Sequence, residues 1–434
     1  MRVLQAFRYA IDPTPAQERA CRSHLGARRF AFNWGLALVK ARLDAKARGE
    51  DVRVPYTLPA LRREWNRAKD NAAPWWPENS KEAYSAGLDG LARALKNCFE
   101  SRAGKRAGQR VGFPQFRKKV RRQSVRFTTG AIRISDRTHL VLPRLGRMRT
   151  HEPTTVLAEC IQAGTARILS ATLSIDCARW YLSFTCEVER GERQPTRPTS
   201  VVGVDAGVRY LAVLSTGETV DNPRPLPKAH RQIARLNRAL ARRQRGSGRW
   251  KDAARRLGRA YARVAHIRAD AMHKLTTRLA RTHGTIVVEL LNVSGMLRNR
   301  RLARALADAS LGELRRQLGY KCFWYGSQLI EAPTFFPSSK TCSGCGAVKA
   351  TLPPSAQVFR CDHCGAAMDR DLNAATNLAA LAAVSVTGSG PEALTARGRD
   401  VRLAEHGEQS QMNREAGSAD AQKTGAAVLQ GAAA

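Results

Sequence analysis

The stretch Cys361–Thr376, CDHCGAAMDRDLNAAT, sets a cysteine pair just ahead of two aspartates, Asp369 and Asp371. An earlier pair stands in TCSGCG at 341–346, so the chain reads C-x2-C, fifteen residues, then C-x2-C. That spacing lets two thiolates from each of two turns close a tetrahedron around zinc. Each second cysteine is followed by glycine, Gly346 and Gly365. A tight knuckle needs glycine there, because turning backbone amides toward sulfur calls for positive φ. Cys342, Cys345, Cys361 and Cys364 are the candidate ligands of one structural Zn²⁺. The bland alternatives are two disulfides or four free thiols, and His363 is read as a surface residue. Most such sites are scaffolds, so the chemistry must be sought elsewhere.

Three acids stand where acids are costly. Asp205 ends an apolar run in VVGVDAGV, Glu289 does the same in IVVELLNV, and Asp371 follows the second cysteine pair. A carboxylate at the end of a buried strand needs a partner or a cation. Taken singly, each is more often a cap or a salt-bridge partner. They lie 84 and 82 residues apart, so only the fold can bring them together. Converging in a basic groove, they would suit Mg²⁺, a hard cation that takes oxygen ligands and shares substrate phosphates. Two such ions about 4 Å apart activate water and stabilise the leaving oxygen of a phosphodiester.

The groove is expected to be basic because the chain is. Among 434 residues, 73 are Lys or Arg against 36 Asp or Glu, a formal net charge of +37, and 58 of the basic residues are arginine. Arginine's planar fork suits phosphate and stacks on bases. A polyanion is the expected partner, nucleic acid above all, with a merely soluble basic surface as the bland reading. With 43% hydrophobic residues the chain is globular and long enough for two or three domains. The N-terminus MRVLQAFRYAIDPTPAQ lacks the apolar centre of a signal peptide, and no apolar run reaches about 18 residues. No membrane role is expected, and the cytoplasm is the expected compartment. The other six cysteines are scattered and read as buried thiols.

The elements that must hold these residues follow from periodicity. RVLQAFRYAI at 2–11 alternates as a strand, and DPTPAQ opens a helix. Residues 17–110 are largely helical, with WWPEN at 75–79 as a break. VGFPQFRKKVRRQSVRF at 111–127 interleaves aromatics with basic residues, as an edge strand or a strand that touches nucleic acid. Residues 168–189 read as a hairpin turning at 176–179. GERQPTRPTS at 191–200 is a polar, Pro-containing boundary. Beyond it, SVVGVDAGVRYLAVLSTGET reads as a hairpin opening a mixed sheet. A basic helical pair at 228–282 is broken by RGSGRW, with Leu257, Tyr261, Val264, Ala271, Leu275 and Leu279 as its buried stripe. THGTIVVELLNV is a buried strand and an Arg-rich helical stretch follows, so the alternation argues for an α/β domain. The tail at 385–434 has no periodicity and is expected to be disordered.

VVGVDAGVRYLAVLSTG, IVVELLNVSGM and FFPSSKTCSGCG…FRCDHCGAAMDRDLNAATNLA together resemble the split RuvC-like nuclease of the transposon-encoded TnpB family, whose relatives are the compact type V CRISPR effectors. FRYAIDPTPAQ…RFAFNWGL and GFPQFRKK are similar to the same family, so the resemblance runs to about residue 382. It implies an RNase H-like (RuvC) α/β nuclease domain over 191–340 and 366–384, with a zinc knuckle inserted at 341–365. It also implies a wedge β-barrel from 1–15 and 111–190, with a helical recognition insert at 16–110. The implied activity is RNA-guided DNA cleavage: a transposon-derived guide RNA selects double-stranded DNA beside a short motif, and the protein acts as a monomer on one RNA. A CRISPR-type effector and a guide-directed repressor that binds without cutting are the alternatives. By the resemblance the catalytic acids fall on Asp205, Glu289 and Asp371, the last preferred to Asp369. Two magnesium ions sit on those acids and one zinc on the four cysteines. The chain departs from the family at Leu290, where Asp is common, and at Ala206, where a bulkier residue is frequent. Neither departure removes a metal ligand.

Overall fold

The computed structural model describes residues 1–119, 123–177, 179–353 and 355–387. Two compact units divide the chain, Met1–Gly191 and Glu192–Ala434.

The first unit opens on β1 (Arg2–Asp12), followed by α1 (Pro15–Ala47), α2 (Leu58–Ala72) and α3 (Lys81–Arg102). Thr14 starts α1 in a capping box with Gln17, each side chain bonded to the other's backbone N–H, so the DPTPAQ signal does its expected work. A short 3₁₀ turn at Trp76–Glu78 separates α2 from α3. Aromatic residues fill the helical core: Trp65 stacks on Tyr84 at 4.9 Å and meets Trp34 edge-on at 5.2 Å. The strands are β2 (Gln123–Phe127), β3 (Arg133–Asp136), β4 (His139–Leu142) and β5 (Gly146–Thr150). Helix α4 (Thr155–Gln162) comes next, then β6 (Ala166–Asp176) and β7 (Arg179–Glu189). All seven form one sheet in the order β2-β6-β7-β1-β5-β4-β3. The β6–β7 hairpin pairs Asp176 with Arg179, as its alternating pattern foretold. Among the described residues no ladder joins β2 to β3, the two ends of the sheet.

The basic aromatic segment departs from expectation. Residues 111–119 form no strand, and among the described residues the next regular pairing is that of β2 from Gln123. Pro114 has no N–H to give a ladder. The segment is held by side-chain contacts instead, with the Arg117 backbone N–H donating to Asn33 Oδ1 at 2.7 Å and the Asn33 amide returning to the Arg117 carbonyl at 3.0 Å.

The second unit has β8 (Arg197–Asp205), β9 (Tyr210–Leu214), β10 (Thr219–Asp221), α5 (Pro225–Ala241), α6 (Gly248–Thr282) and β11 (His283–Val288). It continues through α7 (Val293–Met296), α8 (Ala303–Ala309), α9 (Leu311–Tyr325) and β12 (Gln328–Glu331). The hairpin β13 (Val358–Arg360) and β14 (Ala367–Asp369) leads into α10 (Arg370–Thr387). Five strands make a mixed sheet in the order β10-β9-β8-β11-β12, with β11 parallel to both β8 and β12. Alternation in the central strands feeds both faces. Val202, Val204, Ile286 and Val288 pack with α6 and α9, whereas Val287 packs with Leu378 and Ala382 of α10. The sheet is thus the middle of three layers.

Helix α6 serves two cores. Leu257, Ala260 and Val264 meet Ile233 of α5, and one stretch further on Met272, Leu275 and Leu279 meet the sheet. Tyr261, expected inside, is 37% exposed. Ala260 takes that inward place: Ala253, Leu257, Ala260 and Val264 form the buried stripe of this stretch, and Tyr261 falls on its flank. Exposed arginines at 255, 256, 259, 263 and 278 cover the outer face. Helix α10 runs to Thr387, three residues into the expected tail, and the remainder of that tail lies outside the described residues.

Candidate carboxylate and thiolate sites

β8 and β11 are parallel neighbours in a register that pairs Val204 with Val288. The next residue on each strand is an acid, Asp205 and Glu289. Parallel strands lie about 4.8 Å apart, so the register alone sets these two acids side by side at the carboxyl ends of the strands. The third arrives on α10, which crosses β8 at Gly203. A Cβ built at Gly203 would lie 1.9 Å from the Ala375 carbonyl oxygen and 2.6 Å from the Ala379 nitrogen, so only glycine admits the helix. From that crossing Asp205 is two residues along the strand, about 6.6 Å, and Asp371 four residues back along the helix, about 6 Å. From there the charge of Asp371 acts on Asp205, as that of Glu289 does.

Electrostatics registers the convergence. The Asp205 carboxyl is pushed up to about 7, first by burial and then by the charges of Glu289, Asp371 and, least, Asp369, with Arg370 pulling the other way. Glu289 accepts a short hydrogen bond from the Ser338 hydroxyl. Asp371 is paired with Arg370, whose guanidinium reaches its Oδ1 at 2.9 and 3.1 Å. Asp369 has a different job: its Oδ1 accepts the backbone N–H groups of Asp371 and Leu372 at 2.9 and 3.0 Å, capping α10.

The four cysteines form a tighter group. Their sulfurs all lie within 4.8 Å of one another, the one such group of His, Cys, Asp or Glu ligands among the described residues. Cys342 and Cys364 sulfurs are 3.7 Å apart and those of Cys345 and Cys361 3.6 Å. Tetrahedral Zn–S bonds of about 2.3 Å require about 3.8 Å, so the residues fit zinc. The two knuckles repeat one pattern, Cys342 N–H to the Ala347 carbonyl and Cys361 N–H to the Ala366 carbonyl, both at 2.8 Å. Gly346 and Gly365 take φ of +77° and +73°. Backbone amides of Cys364 and His363 draw the Cys361 thiol down to about 6. Cys345 takes the Ala347 amide, yet partial desolvation and the three neighbouring thiols send it up to about 12. One thiolate forms readily and opposes the next, which is the charge a dication would balance.

Two asparagines on α10 tie the sites together, and neither drew attention in the sequence. Asn373, fully buried, accepts the Ser343 N–H at 2.9 Å and donates to the Thr341 carbonyl at 2.7 Å. Asn377 donates to the carbonyls of Ser338 and Thr341 at 2.8 and 2.7 Å. The first knuckle is therefore pinned to the helix that carries Asp371, and Ser338 is held against Glu289. The signal was present in DLNAATN, two asparagines one helical turn apart, but its partners lie thirty or more residues upstream. Gly203 and Ser338 were passed over for the same reason.

An α/β unit that sets acids at the ends of parallel strands, and a four-thiol cluster able to hold a metal before the helix across them, defines a recognisable class. Comparison with known proteins narrows it. A family profile described as "Probable transposase" matches residues 183–300, and one described as "Cas12f1-like, TNB domain" matches 312–378. A third, "Helix-turn-helix domain", matches 1–47, although those residues form β1 and a single 33-residue helix. A Mycobacterium tuberculosis protein provisionally named an RNA-guided DNA endonuclease is 44% identical over 398 residues, 87% of this chain and 86% of that one. InsQ of Escherichia coli, named likewise, is 32% identical over 88% of this chain and 92% of its own. A solved Cas12f1 chain in complex with sgRNA and target DNA aligns with TM-score 0.48 at 12% identity, covering 87% of this chain and 99% of that one. The chain belongs to the TnpB family. No helix of the described residues is long and apolar enough to cross a membrane.

Proposed function

We propose that this protein is an RNA-guided DNA endonuclease whose nuclease centre is Asp205, Glu289 and Asp371. The observation that carries the reading is the register of β8 and β11 with the α10 crossing at Gly203, which draws three acids from distant parts of the chain to one end of the sheet. The names of the 44% and 32% identical relatives agree with it. The three carboxylates are hard oxygen donors in a partly buried site of excess negative charge, a donor set suited to Mg²⁺. Two bound magnesium ions would supply an activated water and charge stabilisation for the leaving oxygen. The chain's own residues do the rest. Ser338 orients Glu289, Asp369 starts the helix that aims Asp371, and Arg370 balances the charge of Asp371. The four cysteines hold one structural zinc that fixes the turn before α10.

In this reading residues 191–340 and 366–384 are the RuvC-like nuclease and 341–365 the zinc knuckle. The wedge is 1–15 with 111–190, and 16–110 is the recognition insert. Guide RNA and target duplex lie along the arginine-rich surfaces, and the protein works in the bacterial cytoplasm as a monomer on one RNA. The test is to co-express the chain with its flanking non-coding RNA and to incubate the purified complex with matching DNA and Mg²⁺. Cleavage that disappears in Asp205→Ala and Glu289→Ala, with target binding retained, supports the assignment. Undiminished cutting by both variants overturns it.

A further inference from the structure

Between β12 and the first knuckle the chain makes a loop, residues 333–337, whose two feet stand beside Glu289. At one foot the Ala332 N–H donates to the Val288 carbonyl at 2.9 Å, next to Glu289 in the chain. At the other, Ser338, 3% exposed, bonds the Glu289 carboxylate itself. Phe336 fastens the loop from beneath, packing toward Val287, Ala332, Leu378 and Ala382.

Phe335 does the opposite. It is 96% exposed, the most exposed large apolar side chain among the described residues. Its backbone is also unusual. Phe336 N–H closes a turn on the Pro333 carbonyl at 3.0 Å, and Phe335, third in that turn, has φ of +67°. A type II turn requires positive φ at its third position and ordinarily places glycine or asparagine there. A bulky L-residue in that conformation is a strained outlier. Neither half of the observation has a folding rationale, since the ring contributes no core packing and its Cβ opposes the turn. Strain retained at a position that buries nothing points to a role outside the fold.

We infer that Phe335 stacks on a nucleobase of the DNA strand that enters the Asp205–Glu289–Asp371 centre, holding the scissile phosphate in register. The inference rests on the nuclease reading above. Three residues separate Phe335 from each foot of the loop, and an extended chain of that length reaches about 10 Å. At a stacked rise of 3.4 Å per nucleotide this keeps the ring within about three bases of a phosphate at the carboxylates. An aromatic face binds any base, so it steadies a strand without choosing a sequence. That is what cleavage at a site selected by base pairing needs. The turn lifts the ring off the surface, and the two anchored feet keep it beside the acids.

The test compares the full chain, bound to its flanking RNA, as parent, Phe335→Gly, Phe335→Trp and Asp205→Ala. Glycine relieves the turn, so Phe335→Gly should melt no lower than the parent yet cut matched DNA about 10-fold more slowly or worse, while Phe335→Trp stays within about 3-fold of the parent. A second readout does not depend on cutting. In the Asp205→Ala background, 2-aminopurine scanned along each target strand should be quenched at one or two adjacent positions on binding. Adding Phe335→Gly should abolish that quenching and leave complex formation intact. Parent-like cutting by the glycine variant, quenching that survives it, or failure of tryptophan to restore cutting overturns the inference. If the parent cuts, Asp205→Ala does not and Phe335→Gly matches the parent, stacking alone is refuted. Cutting that survives Asp205→Ala refutes the nuclease assignment instead.

Discussion

The thiolate site and the carboxylate site share one helix and are encoded in opposite ways. Cys361 and Cys364 are three residues apart, their partners Cys342 and Cys345 lie about twenty residues upstream, and the glycines that shape both turns are their immediate neighbours. Every feature of the knuckle is local. The acids lie more than eighty residues apart, and none of their neighbours marks them as a set. What unites them is a strand register and one missing Cβ. A local site should therefore tolerate damage to the sheet, and a distributed site should not.

Five experiments press on that contrast. The largest effect belongs to the acids: Asp205→Ala should lower the cleavage rate by about 1000-fold or more, measured under single-turnover conditions, with zinc content unchanged. Gly203→Val comes next. Its added carbons meet the backbone of Ala375 and Ala379, and an overpacked strand–helix crossing of this kind should cost about 3–5 kcal/mol in denaturant unfolding. The knuckle should still bind about one zinc per chain by metal analysis; loss of that zinc would show that the two sites are not separately built.

Cys361→Ser reverses the question. Zinc should fall from about one per chain to none, and stability by about 2–4 kcal/mol, on the order of what a lost structural metal removes. Because Asn373 and Asn377 link the knuckle to α10, cleavage should weaken as well, and added Mg²⁺ should restore part of it. Asp205 gives a pH test. Its carboxyl sits near 7 in the fold against an ordinary value near 3.8. The folded chain therefore holds the extra proton between those values, and metal-free stability falls as pH rises through that window. Asp205→Asn should accordingly stabilise metal-free protein at pH 8 by on the order of 1–2 kcal/mol after solvent screening, read as a higher melting temperature. The gain should vanish near pH 4. The smallest effect is that of Ser338→Ala, about 1 kcal/mol in stability, with the Mg²⁺ concentration for half-maximal cleavage raised about 3-fold.

Much of the second unit was legible in advance. The β8–β9 hairpin, the buried β11 and the α5–α6 pair with its break all follow from apolar period and turn residues. So did the start of α1 at DPTPAQ and the β6–β7 hairpin. Legibility failed where a long-range contact outweighed local pattern. Residues 111–119 alternate like a strand yet are held by Asn33 across the unit. Tyr261 has the right spacing for the core, but the helix presents Ala260 instead. Asn373 and Asn377 read as ordinary helical polar residues until their partners in the first knuckle are in place.

By itself the sequence determined the charge, the four-thiol site and the identity of the acids worth watching, because spacing over a few residues and the cost of burying a carboxylate need no knowledge of the fold. It left open whether Asp369 or Asp371 faces the other acids. The tertiary structure gives the two different neighbours: Asp369 caps α10 through its amides, Asp371 is paired with Arg370, and the charges of both act on Asp205. It alone set Asp205 beside Glu289 and let the charge of Asp371 act on Asp205, since parallel pairing across an 84-residue crossover and the close approach of a helix at Gly203 are relations between distant segments. No window along the chain contains them.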